Sequence, residues 1–110
     1  MTDQPFTLKE AQQAVDTWIS QWEEGYWPPL SNLARLTEEV GELARLINEE
    51  HGDKPPRAEN PTDTLEDELG DILFVVITLA NSLDVDLDFA LRQVMDKYDV
   101  RDASRFTPRS

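Results

Sequence analysis

The chain has 110 residues, 39% of them hydrophobic, a formal net charge of −13 and a pI of about 4.2. That supports one modest core, while so acidic a surface argues against nucleic-acid binding because it repels a polyphosphate backbone. The absence of cysteine excludes a disulfide framework, a thiolate metal site and a cysteine nucleophile.

Four helices and no strands are expected, an all-α protomer. The first runs from about Thr7 to Glu23, with Leu8, Ala11, Val15, Trp18, Ile19 and Trp22 at helical spacing. Thr7 and Glu10 have the spacing of a capping box. Gly25 and Pro28-Pro29 break the chain. The second helix is expected from about Leu30 to Glu50, followed by a Gly/Pro-containing loop from His51 to Pro61. The third runs from about Thr62 to Leu83, capped by Thr62 or Asp63. The fourth runs from about Asp86 to Tyr98 or slightly beyond, with Leu87, Leu91, Val94 and Tyr98 on one stripe. Residues 1–110 are expected to form one domain, with 1–6 and 106–110 loose. Met1-Thr2-Asp3-Gln4-Pro5 lacks an apolar signal core, and no apolar run reaches the roughly 20 residues of a membrane span. The expectation is a soluble, cytoplasmic protein with no membrane partner.

The chemistry concentrates on two acidic motifs, Glu38-Glu39-Val40-Gly41-Glu42 and Glu68-Leu69-Gly70-Asp71. Carboxylates three apart share a helix face. At about 100° per residue, Glu39 borders the apolar stripe of Leu36, Val40, Leu43 and Ile47. Glu68 and Asp71 share an arc with Ile72, Val75 and Leu79. Carboxylates gathered beside an apolar core need neutralising, and oxygen-only donors suit Mg²⁺ or Mn²⁺ rather than zinc. Solvated helix surface is the simpler account of any single Glu-x-x-Glu. Gly41 and Gly70 cost helix stability, which suggests close approach to the backbone or tight helix crossing. Both carboxylate pairs lie early in their helices, so a strict antiparallel hairpin would separate them. Convergence then requires crossing, stagger or a partner chain.

Other sites fail on composition. The only histidine, His51, falls in an expected loop, which removes a Glu-x-x-His di-iron site. Asp84-Val85-Asp86-Leu87-Asp88 starts like a calcium loop, but Phe89 and Met95 occupy its sixth and twelfth positions. No Gly-rich phosphate loop is present.

The motif pair with its spacer, residues 43–67, resembles the MazG-type nucleoside triphosphate pyrophosphohydrolases, an all-α family with Glu-x-x-Glu and Glu-x-x-Asp. Tyr26-Trp27-Pro28-Pro29-Leu30, Ala34-Arg35-Leu36-Thr37, Leu79-Ala80-Asn81-Ser82-Leu83 and Lys97-Tyr98-Asp99-Val100-Arg101-Asp102 extend the resemblance to short single-domain members. It implies hydrolysis of a nucleoside triphosphate to the monophosphate and pyrophosphate, as in nucleotide house-cleaning. It further implies Mg²⁺, or Mn²⁺ in its place, on Glu39, Glu42, Glu68 and Asp71, with Glu38 positioning a metal-bound water or acting as general base.

Half of the ten Lys and Arg gather late, at Arg92, Lys97, Arg101, Arg105 and Arg109. They fit a helix C-terminus with a solvated tail, or a phosphate-contacting patch in which Lys97, Arg101 and Arg105 take part. Trp18 and Trp22 are expected as core anchors, and Trp27 as a base-stacking residue. The run Ile72–Ala80 is apolar on every side and needs more cover than three amphipathic helices give. A homo-oligomer is therefore expected, a dimer or a tetramer built from dimers. The competing class is a non-catalytic acidic helical module that binds a basic partner.

Overall fold

A computed structural model describes residues 5–52 and 64–109. Its helices are α1 (Leu8–Ser20), α2 (Pro29–His51), α3 (Leu65–Ser82) and α4 (Leu87–Arg101), with no strand among the described residues. Each start has a local cause. Thr7 caps α1 through its hydroxyl, which accepts from the Glu10 amide, while Glu10 accepts from the Thr7 amide in return. Pro29 opens α2 at a position where a missing N–H costs nothing. Thr64 and Asp67 form a second capping box at α3. Asp86 accepts from the Asp88 and Phe89 amides to cap α4.

Three boundaries differ from expectation. The first helix stops at Ser20 rather than Glu23, and its chain then turns through Gly25 at φ +62°. His51 belongs to α2 rather than to the following loop. Thr64 caps α3; the expected caps Thr62 and Asp63, with most of the expected 51–61 loop, lie outside the described residues.

Helices α2 and α3 pack antiparallel and carry the core, and α1 lies across α3. Leu46, Val75, Ile77 and Ala80 are buried there with Ile19 of α1. Each such large apolar side chain contributes about 1.5–3 kcal/mol. A polar clamp fixes the crossing. The Gln12 amide donates to Asn81 Oδ1 and to the Val85 carbonyl, both at 2.9 Å, and its Oε1 accepts from the Leu87 amide. Asn81 returns a bond to the Gln12 carbonyl at 3.0 Å. One side chain thereby ties α1 to the end of α3 and the start of α4.

The single chain does not close on itself. Its radius of gyration is 17.6 Å, against about 13 Å for a compact globule of this length. No residue of α4 is buried, and Leu69 and Leu73 of α3 are about half exposed. Three helices thus leave part of α3 uncovered. A Cβ at Gly41 or Gly70 would meet nothing within 4 Å among the described residues, so neither mediates a tight helix crossing within them. No helix among the described residues is long and apolar enough to cross a membrane.

Candidate active site

The antiparallel register removes the apparent conflict between the two acidic motifs. Glu39 stands in the middle of α2, not at its start, because that helix begins at Pro29 and continues to His51. It therefore faces the first turns of α3. Carboxylate oxygens of Glu39, Glu68 and Asp71 lie within 4.8 Å of one another. Glu68 is only 5% exposed, Glu39 is half-buried and Asp71 is open to solvent. The position of Glu68 in the first turns of α3 places its negative charge at the positive end of the helix dipole.

Three oxygen donors of one sign, one of them buried, suit a hard divalent cation. Glu42 stands outside this trio. It lies one turn further along α2, where Arg45 Nη2 donates to its Oε2 at 2.6 Å. The other arm of Arg45 donates to Glu49 at 2.9 Å. The bond to Glu42 and then the bond to Glu49 raise the Arg45 pKa, so the guanidinium stays charged throughout. Glu38 is exposed and adjoins the trio in sequence without joining it.

A cavity of about 360 Å³ lies further along the same two helices. Trp18, Trp22, Trp27 and Phe74 form its walls, with Asn32, Arg35 and Thr78 among its lining. Trp18 meets Trp22 and Phe74 edge to face, each with centroids 6.0 Å apart. The Arg35 guanidinium lies 5.9 Å from the Trp27 ring centre and 5.8 Å from that of Phe74. Trp18 and Trp22 were expected as core anchors. They are 54% and 51% exposed and form cavity wall instead.

Trp27 therefore has the setting expected of a stacking residue. Lys97, Arg101 and Arg105 do not line this cavity. Arg101 and Arg105 pair with Asp102, and Lys97 and Arg101 lie over the Tyr98 ring. Asn32, Arg35, Phe74 and Thr78 were missed from sequence. A signal existed: Asn32, Arg35 and Glu39 share one face of α2, and Asp71, Phe74 and Thr78 share one face of α3. Extending each acidic motif along its own stripe leads to the cavity.

A carboxylate trio thus stands at one end of a stripe and an aromatic cavity at the other. Residues 28–106 match the family model described as the MazG nucleotide pyrophosphohydrolase domain. The uncharacterized protein YpjD of Bacillus subtilis strain 168 is 50% identical over 101 residues, covering 92% of this chain and 91% of YpjD. The crystal structure of YpjD from Bacillus subtilis superposes with a TM-score of 0.77 at 48% identity, covering 90% of this chain and 99% of that one. A second crystal structure, of the Bacillus-conserved MazG protein, a nucleotide pyrophosphohydrolase, gives a TM-score of 0.75 at 46% identity over 86% of this chain and 92% of that one. The chain belongs to the MazG nucleotide pyrophosphohydrolase family and is an enzyme of that class. The non-catalytic acidic module gives way to it.

Proposed function

We propose that residues 1–110 act as one unit that hydrolyses a nucleoside triphosphate to the monophosphate and pyrophosphate in the cytoplasm. The observation that carries this reading is the meeting of Glu39, Glu68 and Asp71 on the same helix pair that walls the aromatic cavity. These three, with Glu42 released from Arg45, would hold Mg²⁺, or Mn²⁺ in its place. When bound, the cation offsets substrate charge and lowers the pKa of water. The protein's own residues do the rest. Trp27 and its neighbours hold the base, and Glu38 takes the proton from the attacking water. Water adds to the α-phosphorus, the bridging bond to the β-phosphate breaks, and pyrophosphate leaves.

The open protomer and its uncovered α3 ridge support a homo-oligomer, a dimer or a tetramer built from dimers. In such an assembly α4 of a second copy would bring Lys97, Arg101 and Arg105 to the phosphates. The test is incubation of the protein with a panel of ribo- and deoxynucleoside triphosphates in Mg²⁺ or Mn²⁺, with products separated. Monophosphate and pyrophosphate in equal amounts are expected. Diphosphate with orthophosphate, or no cleavage of any triphosphate, would reject the reading.

A further inference from the structure

One buried polar group in the cavity is left without a partner. Asn32 is 2% exposed, and its Nδ2 has no hydrogen-bond partner. Buried amide donors are almost always paired, so an unpaired one on a residue that lines a cavity points to a ligand acceptor. Stacking on Trp18, Trp22, Trp27 and Phe74 does not select, because every base has a matching face. The Thr78 hydroxyl has already donated its proton to the Phe74 carbonyl at 2.8 Å. Among the polar groups of the lining, which also include Glu24, Tyr26 and Arg35, Asn32 holds the buried donor that has no partner.

Asn32 and Glu39 lie seven residues apart on α2, about 10 Å along the axis. That is the span of a nucleoside with its first phosphate. A base whose sugar leads toward Glu39 presents to Asn32 the edge furthest from the sugar, position 4 of a pyrimidine or 6 of a purine.

We propose that Asn32 determines base preference by donating from Nδ2 to a carbonyl oxygen at that position, favouring keto bases over amino bases. This deepens the nucleotide reading and rests on it. A site built to hydrogen-bond one group rejects the analogue that lacks it, because its own donor is left buried and unpaired.

All three tryptophans of the chain line this cavity, so their fluorescence reports its occupancy without any turnover. The experiment titrates the full chain, in chelator, with two matched pairs of neutral nucleosides: uridine against cytidine, and inosine against adenosine. Uridine and inosine are expected to quench at about tenfold lower concentration than their amino partners. Asn32→Leu should bring both ratios to about one without lowering the melting temperature. Asn32→Asp, which presents acceptors only, should turn the preference toward cytidine and adenosine. Unchanged ratios in both variants, or a wild-type preference for the amino bases, would overturn the role of Asn32. Absence of quenching by every nucleoside, together with absence of triphosphate cleavage, would instead overturn the nucleotide reading itself.

Discussion

Arg45 holds the Glu42 carboxylate at 2.6 Å while Glu39, Glu68 and Asp71 converge elsewhere. Glu42, one turn along α2 from Glu39, thus already has a cation on its carboxylate. If it joins the divalent cation during turnover, Glu42→Gln should lower kcat/KM by at least about tenfold to a hundredfold while leaving the fold intact. Steady-state assays on pyrophosphate release check this. Near-normal turnover would restrict the ligand set to Glu39, Glu68 and Asp71.

The same arginine has a structural duty that can be separated from catalysis. The Glu49 side chain is only 3% exposed, and that of Glu42 is 48% exposed. Loss of the exposed pair costs little, below about 1 kcal/mol. Loss of the charged bond to Glu49 costs about 1.5–3 kcal/mol. Arg45→Met should therefore lower the urea midpoint. An unchanged midpoint would show that the Arg45–Glu49 bond does not matter to the fold.

Three carboxylates within 4.8 Å repel one another when no cation is present. Neutralising one should stabilise the metal-free protein. Glu39→Gln is expected to raise its melting temperature by several degrees, for a gain on the order of 1 kcal/mol. Wild-type protein should gain further stability on adding Mg²⁺ or Mn²⁺, by about 2.7 kcal/mol at a hundredfold excess over Kd, and the variant should not. Thermal scans with chelator and with each cation decide it. A cation shift of equal size in both proteins would place the cation elsewhere.

Local signals carried most of the architecture. Thr7 with Glu10, Pro29 at the head of α2, and Asp86 before α4 are each legible because capping depends on residues within one turn. The ends were less legible. Gln21, Trp22 and Glu23 are compatible with helix, yet the chain turns toward Gly25. The site divided in the same way. The carboxylates stood out by type and spacing, but their meeting depended on the register of α2 against α3, a tertiary property. Asn32 lies on the stripe of Glu39, which places it on the right face, but an asparagine in a helix carries no sign of its own burial. Trp18 and Trp22 have the i,i+4 spacing of core anchors, and spacing alone does not separate core from cavity wall.

Leu69 and Leu73 form an exposed apolar ridge on α3, each half open to solvent. Exposed leucines are ordinary singly, but neighbours one turn apart on a helix that carries the core form part of a larger patch. If a second copy covers them, Leu73→Glu places a charge in that interface. Sedimentation should then move from a multiple of 12.6 kDa toward the monomer. Wild-type protein sedimenting as a monomer at micromolar concentration would remove the oligomer from the reading.

The Tyr26 hydroxyl donates to Asp16 at 2.6 Å and ties the loop after α1 back onto that helix. Burial first, then the bond to Asp16, pushes the Tyr26 pKa up to about 12, with a bond to Asn81 opposing. An unfolded tyrosine titrates at about 10. Because the folded pKa is the higher one, the protonated hydroxyl adds stability that is complete below about pH 10. It is lost as pH rises from about 10 to about 12. Tyr26→Phe keeps the ring in the cavity wall and removes the titrating group. Its urea midpoint should lie below that of wild type at pH 8 and converge with it as pH approaches about 12. Parallel pH dependence in the two proteins would mean that the hydroxyl is not held in the folded state as the Asp16 bond requires.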